Sequence, residues 1–317
     1  MANRPAAEVL ITADLVRELL GEQHPDLAEL PLNAVAEGWD NVIFRLGSDL
    51  SVRLPRREAA AQLARNEQAW LPRLLSDQPG ADPGAQPPES PLRFASTPVR
   101  VGEPSSSYPW HWSITTWVEG AVGTQIPLGD RTPAAEDLAD FVLAFQQPAP
   151  EDAPRNPVRG GALGDRDSAL QQRLAALELP TADLLDLWRE LRDSPAWDGT
   201  ALWLHGDLHA ANLVLGPDKK LAAVLDFGDL GSGDPATDLA AAWLVFDRYG
   251  RRVFQNRINA ARPTSDATWQ RARGWALCIG AAMAAHSDDD AAFQTMGQQV
   301  LHSVLVDHGT RLAGGAR

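Results

Sequence analysis

Apolar and polar positions follow two different rhythms along this chain, and the change of rhythm divides it. Apolar residues recur at about every second position over Leu32–Ala36, Asn41–Leu46 and Leu50–Leu54. That spacing predicts three strands, joined by the turns Glu37-Gly38-Trp39-Asp40 and Gly47-Ser48-Asp49, with Pro55 ending the third. A short helix capped by Thr12 or Asp14 precedes them, running through Leu20. Over Ala59–Leu75 the spacing turns helical and places Glu67 on one face with Leu63 and Leu71. A carboxylate there either finds a partner or sits at an exposed boundary. Strands return at Val99–Val101 and Trp110–Val118, after a Pro- and Gly-rich loop over Ser76–Pro91.

Beyond Glu119-Gly120 the helical spacing dominates, over Ala134–Phe145, Asp165–Leu177, Thr181–Arg192, Pro235–Tyr249, Ala267–Ala285 and Ala291–Leu312. One exception is Asn212–Phe227, which reads as two short apolar strands around a turn at Gly216–Lys220. No internal repeat is present. The expectation is an α+β protein of two lobes, strand-rich over residues 1–117 and helical over residues 118–317, hinged near Trp117–Gly120.

Composition narrows the function. With 42 acidic against 28 basic residues the formal charge is −14, which argues against a nucleic-acid partner and suits a cationic small molecule better. The longest apolar run, Trp275–Ala285, is too short to span a bilayer, and Met1–Leu20 lacks the pattern of a secretory signal, so no membrane association is expected. A single cysteine, Cys278, leaves no internal disulfide and fits the cytoplasm. Lysine occurs only at Lys219 and Lys220, in a polar turn, so no G-x-x-x-x-G-K-[ST] phosphate loop exists.

Chemistry concentrates in two segments. In Leu202–Leu215 the polar residues His205, Asp207 and Asn212 stand between apolar strands, where each needs a partner. Val224–Asp229 places Asp226 at the end of the returning strand, so Asp207, Asn212 and Asp226 converge if the two strands pair. Two carboxylates and an amide oxygen are hard ligands that suit magnesium. An Asp and an Asn five residues apart, followed by Asp-Phe-Gly, is the arrangement of phosphoryl transfer, with the first Asp facing the attacking hydroxyl.

Other readings account for less. A metallohydrolase using His205, Asp207, His209 and Asp226 leaves Asn212 and Asp226-Phe227-Gly228 unexplained. Gly231–Ala236 imitates a dinucleotide fingerprint, but Pro235 argues against it. Asp234 and Asp238 read as a helix cap and a brace for the site. No G-x-S-x-G element is present.

His205-Gly206-Asp207 with Asn212, Leu225-Asp226-Phe227-Gly228 and Gly233-Asp234-Pro235-Ala236-Thr237-Asp238-Leu239 follow one another in order, and together they resemble the aminoglycoside phosphotransferase and choline kinase-like family. Gly38-Trp39-Asp40-Asn41, Val52-Arg53-Leu54-Pro55 and Arg159-Gly160-Gly161 look like its bacterial antibiotic-phosphotransferase branch. The resemblance implies a two-lobed protein-kinase-like fold, with a nucleotide-binding N-terminal lobe and a catalytic, acceptor-binding C-terminal lobe. It further implies a kinase that moves the γ-phosphate of ATP or GTP, with Mg2+, to a hydroxyl of an aminoglycoside-type antibiotic, a macrolide or a small amino-alcohol.

Asp207 is then the catalytic base or positioner, and Asn212 and Asp226 are the metal ligands. Arg53 takes the place of the usual phosphate-holding lysine, with Glu67 as its paired acid. Gly38 and Asn41 belong to the phosphate-covering turn, while Trp117 and Val118 flank the purine. Asp165, Asp167, Asp288, Asp289 and Asp290 are candidates to face the acceptor's ammonium groups. The missing lysine also admits a catalytically silent nucleotide-binding module.

Overall fold

The computed structural model describes residues 6–76, 90–287 and 290–314, with side chains up to Asp307. It has a mixed α+β fold, and the chain divides into two compact units. One runs to Glu119 and takes in Ala223–Leu230; the other comprises Gly120–Ala222 and the chain from Gly231 onward.

In the strand-rich unit, α1 (Ala13–Gln23) starts at Thr12, whose hydroxyl accepts the Leu15 N–H at 3.2 Å. Five strands, β1 (Leu32–Glu37), β2 (Asn41–Leu46), β3 (Leu50–Pro55), β4 (Pro98–Gly102) and β5 (Trp112–Thr116), form an antiparallel sheet in the order β1-β2-β3-β5-β4. Val16, Leu19 and Leu20 lie on one face of α1 and pack with Phe44, Leu46, Val52, Leu54, Tyr108, Trp112 and Ile114. Each such buried side chain contributes about 1.5–3 kcal/mol. β5 is shorter at both ends than the pattern Trp110–Val118 predicts, because pairing with β3 stops at Leu50 opposite Thr116 and the Trp117 N–H turns to the Asp49 carbonyl. α2 (Glu58–Ser76) packs against β3, β5 and the 3-10 turn Phe227–Asp229. Most of the expected loop over Ser76–Pro91 lies outside the described residues.

The second unit is mainly helical. α3 (Ala135–Phe145), α4 (Asp167–Ala175) and α5 (Ala182–Arg192) follow the predicted pattern with trimmed ends. The predicted helix over Pro235–Tyr249 is instead broken into α6 (Ala236–Leu239), α7 (Ala241–Leu244) and α8 (Arg248–Ala261). Asp247 enforces the break by accepting the Tyr249 and Gly250 N–H groups at 3.0 and 2.9 Å, which starts a new helix. The later part of α8 escaped prediction because its buried positions, Gly250, Arg251, Phe254 and Ile258, include a glycine and an arginine that blur the apolar period. α9 (Asp266–His286) is buried on nearly all sides and packs against α4, α5, α6, α7 and α10 (Ala291–Gly314).

Short strands complete this unit. β6 (Ala121–Val122) pairs with β8 (Leu213–Leu215), and β7 (Leu202–Leu204) pairs antiparallel with β10 (Gly231–Gly233). β9 (Leu221–Val224), whose last two residues belong to the strand-rich unit, follows β8 across a turn closed by the Gly216 N–H and the Lys220 carbonyl at 2.9 Å. β10 reads Gly-Ser-Gly, which offers no side-chain pattern, so the sequence does not announce it as a strand.

Candidate active site

Where β7 ends, the chain turns through His205, Gly206 and Asp207, and backbone N–H groups leave the ladder without partners. Asp238 on α6 supplies them, accepting the His205 and Gly206 N–H groups at 2.9 Å each. Its carboxyl is only 1% exposed. Burial raises the Asp238 pKa, opposed by neighbouring His205 and the two backbone donors. Gly206 adopts φ +86°, a left-handed turn that a side chain would strain. Thus Asp238, a brace by sequence, anchors the loop that presents Asp207.

Asp207 is held from several directions. Its own N–H donates to His205 Nδ1 at 3.2 Å. Arg159 Nη2 donates to Oδ1 at 3.2 Å, while His209 Nε2 lies 3.1 Å and Asn212 Nδ2 3.3 Å from Oδ2. Burial works to raise the pKa, but His209, Arg159 and His205 outweigh it and hold the carboxyl well below the usual carboxylate range. Asp207 is therefore ionised at neutral pH, and His209 Nε2 must carry a proton to donate to it. Asn212 also donates to the Asp207 carbonyl at 2.9 Å, so its amide nitrogen is committed and its oxygen is turned away. That oxygen accepts no hydrogen bond among the described residues.

A second cluster lies within the strand-rich unit. Arg53 on β3 stands opposite Ile43 of β2 and Ser113 of β5. Its Nη1 donates to Glu67 Oε2 at 2.8 Å, and its Nη2 pairs with Asp226 Oδ1. The Asn41 amide is oriented with its oxygen toward this guanidinium, accepting from Nη2 and Nε at 3.0 and 3.1 Å. Burial lowers the pKa of Arg53, but Asp226 and Glu67 outweigh it and the net shift is upward. For Glu67 burial is the largest influence and pushes the carboxyl up, against the pull of Arg53. Asp226 has φ +60° and accepts the Gly228 N–H at 3.2 Å through Oδ1, leaving Oδ2 without a hydrogen bond among the described residues.

The turn between β1 and β2 is pinned by two arginines that sequence reasoning passed over. Arg56 donates to the Gly38 carbonyl at 3.0 Å and pairs with Glu37 at 2.6 Å, and Arg57 pairs with Asp40 at 2.6 Å. Their place directly after Pro55, opposite the turn in the hairpin, was the available signal. At Gly38 a Cβ would meet the Asn41 carbonyl at an ordinary 3.5 Å, so no described residue requires glycine there. Trp117 commits its backbone N–H to Asp49 at 2.7 Å and carries the Arg45 guanidinium 4.7 Å above its ring. Its indole Nε1 is buried with no hydrogen-bond partner among the described residues. Val118 beside it is half-buried.

The structure thus joins Asp207 with Asn212 in one unit, and Arg53, Glu67, Asn41 and Asp226 in the other. Among the described residues no group of three or more His, Cys, Asp and Glu is placed to hold a metal ion, so the hydrolase set of His205, Asp207 and His209 gains no support from geometry. Of the acidic acceptor candidates, Asp167 is committed to Trp188 Nε1 at 2.7 Å and to Arg192 at 3.2 Å, Asp290 caps α10, and Asp288 and Asp289 lie outside the described residues.

Residues 31–275 match the phosphotransferase enzyme family. No curated protein matches the chain by sequence. Among solved structures, the GDP complex of wild-type aminoglycoside 2'-phosphotransferase-IIIa is similar, with a TM-score of 0.64 at 17% identity, covering 92% of this chain and 98% of that one. The apoenzyme of a macrolide 2'-phosphotransferase from Brachybacterium faecium gives a TM-score of 0.58 at 20% identity over 91% of this chain and 98% of its own. A thermostable mutant of the aminoglycoside phosphotransferase APH(4)-Ia, in ternary complex with AMP-PNP and hygromycin B, gives 0.58 at 18% identity over 92% and 98%. These likenesses are of fold, and they agree with the family match. With the family's pattern running through most of its length, from the first strands into α9, this chain belongs to the phosphotransferase enzyme family.

Proposed function

We propose that this phosphotransferase moves the γ-phosphoryl group of ATP or GTP to a hydroxyl of a small molecule, an aminoglycoside-type antibiotic in the first instance. The observation that carries this reading is the state of Asp207. It is fixed by neighbours on both oxygens, with His209 and Arg159 pulling its pKa down against burial, and stands five residues ahead of an asparagine whose amide oxygen is left open. In a loose phosphoryl-transfer transition state the nucleophile needs orientation more than early deprotonation, and a low-pKa carboxylate provides that. Asp207 accepts the acceptor hydroxyl's hydrogen bond. As the acceptor oxygen bonds to phosphorus and the bond to the leaving diphosphate oxygen breaks, the hydroxyl proton passes to the Asp207 carboxylate and then to solvent.

Arg53, held by Glu67, supplies a planar guanidinium for nucleotide phosphates in place of a lysine ammonium. Gly38, with no structural need to be glycine, leaves room for phosphates at a turn whose ends Arg56 and Arg57 hold. Asn41 orients Arg53, and Trp117 and Val118 wall the purine. We assign magnesium to Asn212 and Asp226, because the amide Oδ1 of the first and the carboxylate Oδ2 of the second are hard oxygens without hydrogen bonds among the described residues. Held by Asn212 and Asp226, magnesium would supply positive charge to offset that of the transferring phosphates. The formal charge of −14 and the fold likeness to aminoglycoside phosphotransferases support a cationic acceptor, and buried Cys278 is compatible with the cytoplasm.

The test is transfer of label from ATP and GTP to kanamycin, gentamicin, hygromycin B and a macrolide, with magnesium and with EDTA. Asp207→Ala is expected to lose transfer while nucleotide still raises its melting temperature. Wild-type rates in the folded variant would reject the assignment. Nucleotide binding with no magnesium-dependent transfer to any acceptor would mark a silent module instead.

A further inference from the structure

Arg159 reaches the catalytic loop from far along the chain. Its Nε donates to the Gly206 carbonyl at 2.8 Å and its Nη2 to Asp207 Oδ1 at 3.2 Å, so one planar group spans two consecutive residues of the loop. The side chain is partly buried, with 21% of it exposed. The backbone beneath it is docked on the β7–β10 pair. Gly160 has φ +72°, and a Cβ there would lie 2.8 Å from Leu204 Cδ1. The Gly160 carbonyl accepts the Asp234 N–H at 2.9 Å, and upstream the Pro154 carbonyl accepts the Ser232 N–H at 2.8 Å. Arg159 is therefore fixed on both sides to the strands that also carry the loop it grips.

Asp238 secures the loop's backbone by its N–H groups, and both of its oxygens are spent on them. A carboxylate on a single χ1–χ2 pair can still rotate, and rotation would turn its oxygens away from an acceptor hydroxyl. Asn212 and His209 meet Oδ2. Among the described residues it is Arg159 that joins Oδ1 to a backbone carbonyl of the same loop.

We propose that Arg159 is a positioning residue of the transfer step: its guanidinium locks the Asp207 carboxylate to the Gly206 carbonyl and so sets the rotamer that meets the acceptor hydroxyl. The inference rests on the reading of Asp207 given above. Lysine cannot reproduce it, because an ammonium is a point donor and lacks the fork that reaches both acceptors in one plane. The role differs from a purely structural one in what it should change. Misplacement of the carboxylate slows the chemical step and leaves nucleotide binding alone.

The experiment compares wild type with Arg159→Lys, Arg159→Met, Arg159→Ala and Asp207→Ala. It measures label transfer from ATP and GTP to kanamycin and to water, with nucleotide-induced thermal stabilisation measured in parallel. Arg159→Met is expected to lose about 100-fold in kcat. Its KM for the nucleotide should stay within about 3-fold of wild type. Arg159→Lys should recover only part of the loss, and added methylguanidine should restore part of the activity of Arg159→Ala. Unchanged kcat in folded Arg159→Met beside an inactive Asp207→Ala overturns the inference while the reading of Asp207 stands. Full recovery in Arg159→Lys also overturns it, since charge alone would then suffice. Transfer by Asp207→Ala at the wild-type rate, or none by wild type, removes the reading and the inference with it.

Discussion

Arg53 on β3 and Glu67 on α2 meet at 2.8 Å, with the glutamate only 3% exposed. The contact ties the sheet to its packed helix and orients a guanidinium that also meets Asn41 and Asp226. Glu67 has Leu63 and Leu71 on its own face, a spacing that left open either a partner or an exposed boundary, and the structure buries it and identifies the partner that makes burial tolerable.

Glu67→Ala takes away one of the two carboxylates that compensate Arg53 and leaves Asp226 and Asn41, so it is expected to destabilise the protein by about 1–3 kcal/mol, and Glu67→Gln by less, because an amide oxygen still accepts from Arg53. Urea denaturation measures both; a loss below about 1 kcal/mol for Glu67→Ala would show that the pair does not secure α2.

Asp238 satisfies two buried N–H donors at once. Asp238→Ala orphans both, at about 1–3 kcal/mol each, and should also lower transfer by loosening the loop before Asp207. Asp238→Asn keeps one oxygen and should lose roughly half as much stability. Equal stability of Asp238→Ala and wild type would mean that the loop finds other acceptors.

A second buried pair supports α6 from below. Arg271 Nε donates to Asp234 Oδ2 at 2.6 Å, each side chain being 5% exposed, and Asp234 also accepts the Ala236 N–H at 3.0 Å. Arg271→Met should cost about 3–5 kcal/mol, and adding Asp234→Asn should recover part of that loss because the stranded carboxylate is neutralised. A double-mutant cycle reads the coupling, and strict additivity of the two changes would contradict it.

Cys278 lies on α9 with 3% exposure, and burial pushes its thiol up to about 12 against the opposing charges of Arg173, Arg159 and Arg166. The folded state keeps this proton where the unfolded chain loses it, near pH 9. The thiol's contribution to stability is therefore fully present below about pH 9 and is lost as pH rises toward 12, at about 1.4 kcal/mol per pH unit. Cys278→Ala should lack that slope. Native protein should react with a thiol reagent at pH 8 only as fast as it unfolds, and immediate stoichiometric labelling would place the sulfur at the surface instead.

The sequence by itself determined what is local. The alternating strands from Leu32 to Leu54, the helical face of Glu67, and the five-residue step from Asp207 to Asn212 all follow from period and spacing within one or two adjacent elements. Tertiary structure decided the rest. It placed Asp226 on Arg53 across 173 positions and Arg159 on Asp207 across 48, and it recruited Gly231–Gly233 as a strand although those residues carry no side-chain pattern. Period reports only which face of an element is apolar. The partner of a buried charge depends on which distant backbone folds against it, a relation with no repeat along the chain and therefore no signature in one sequence.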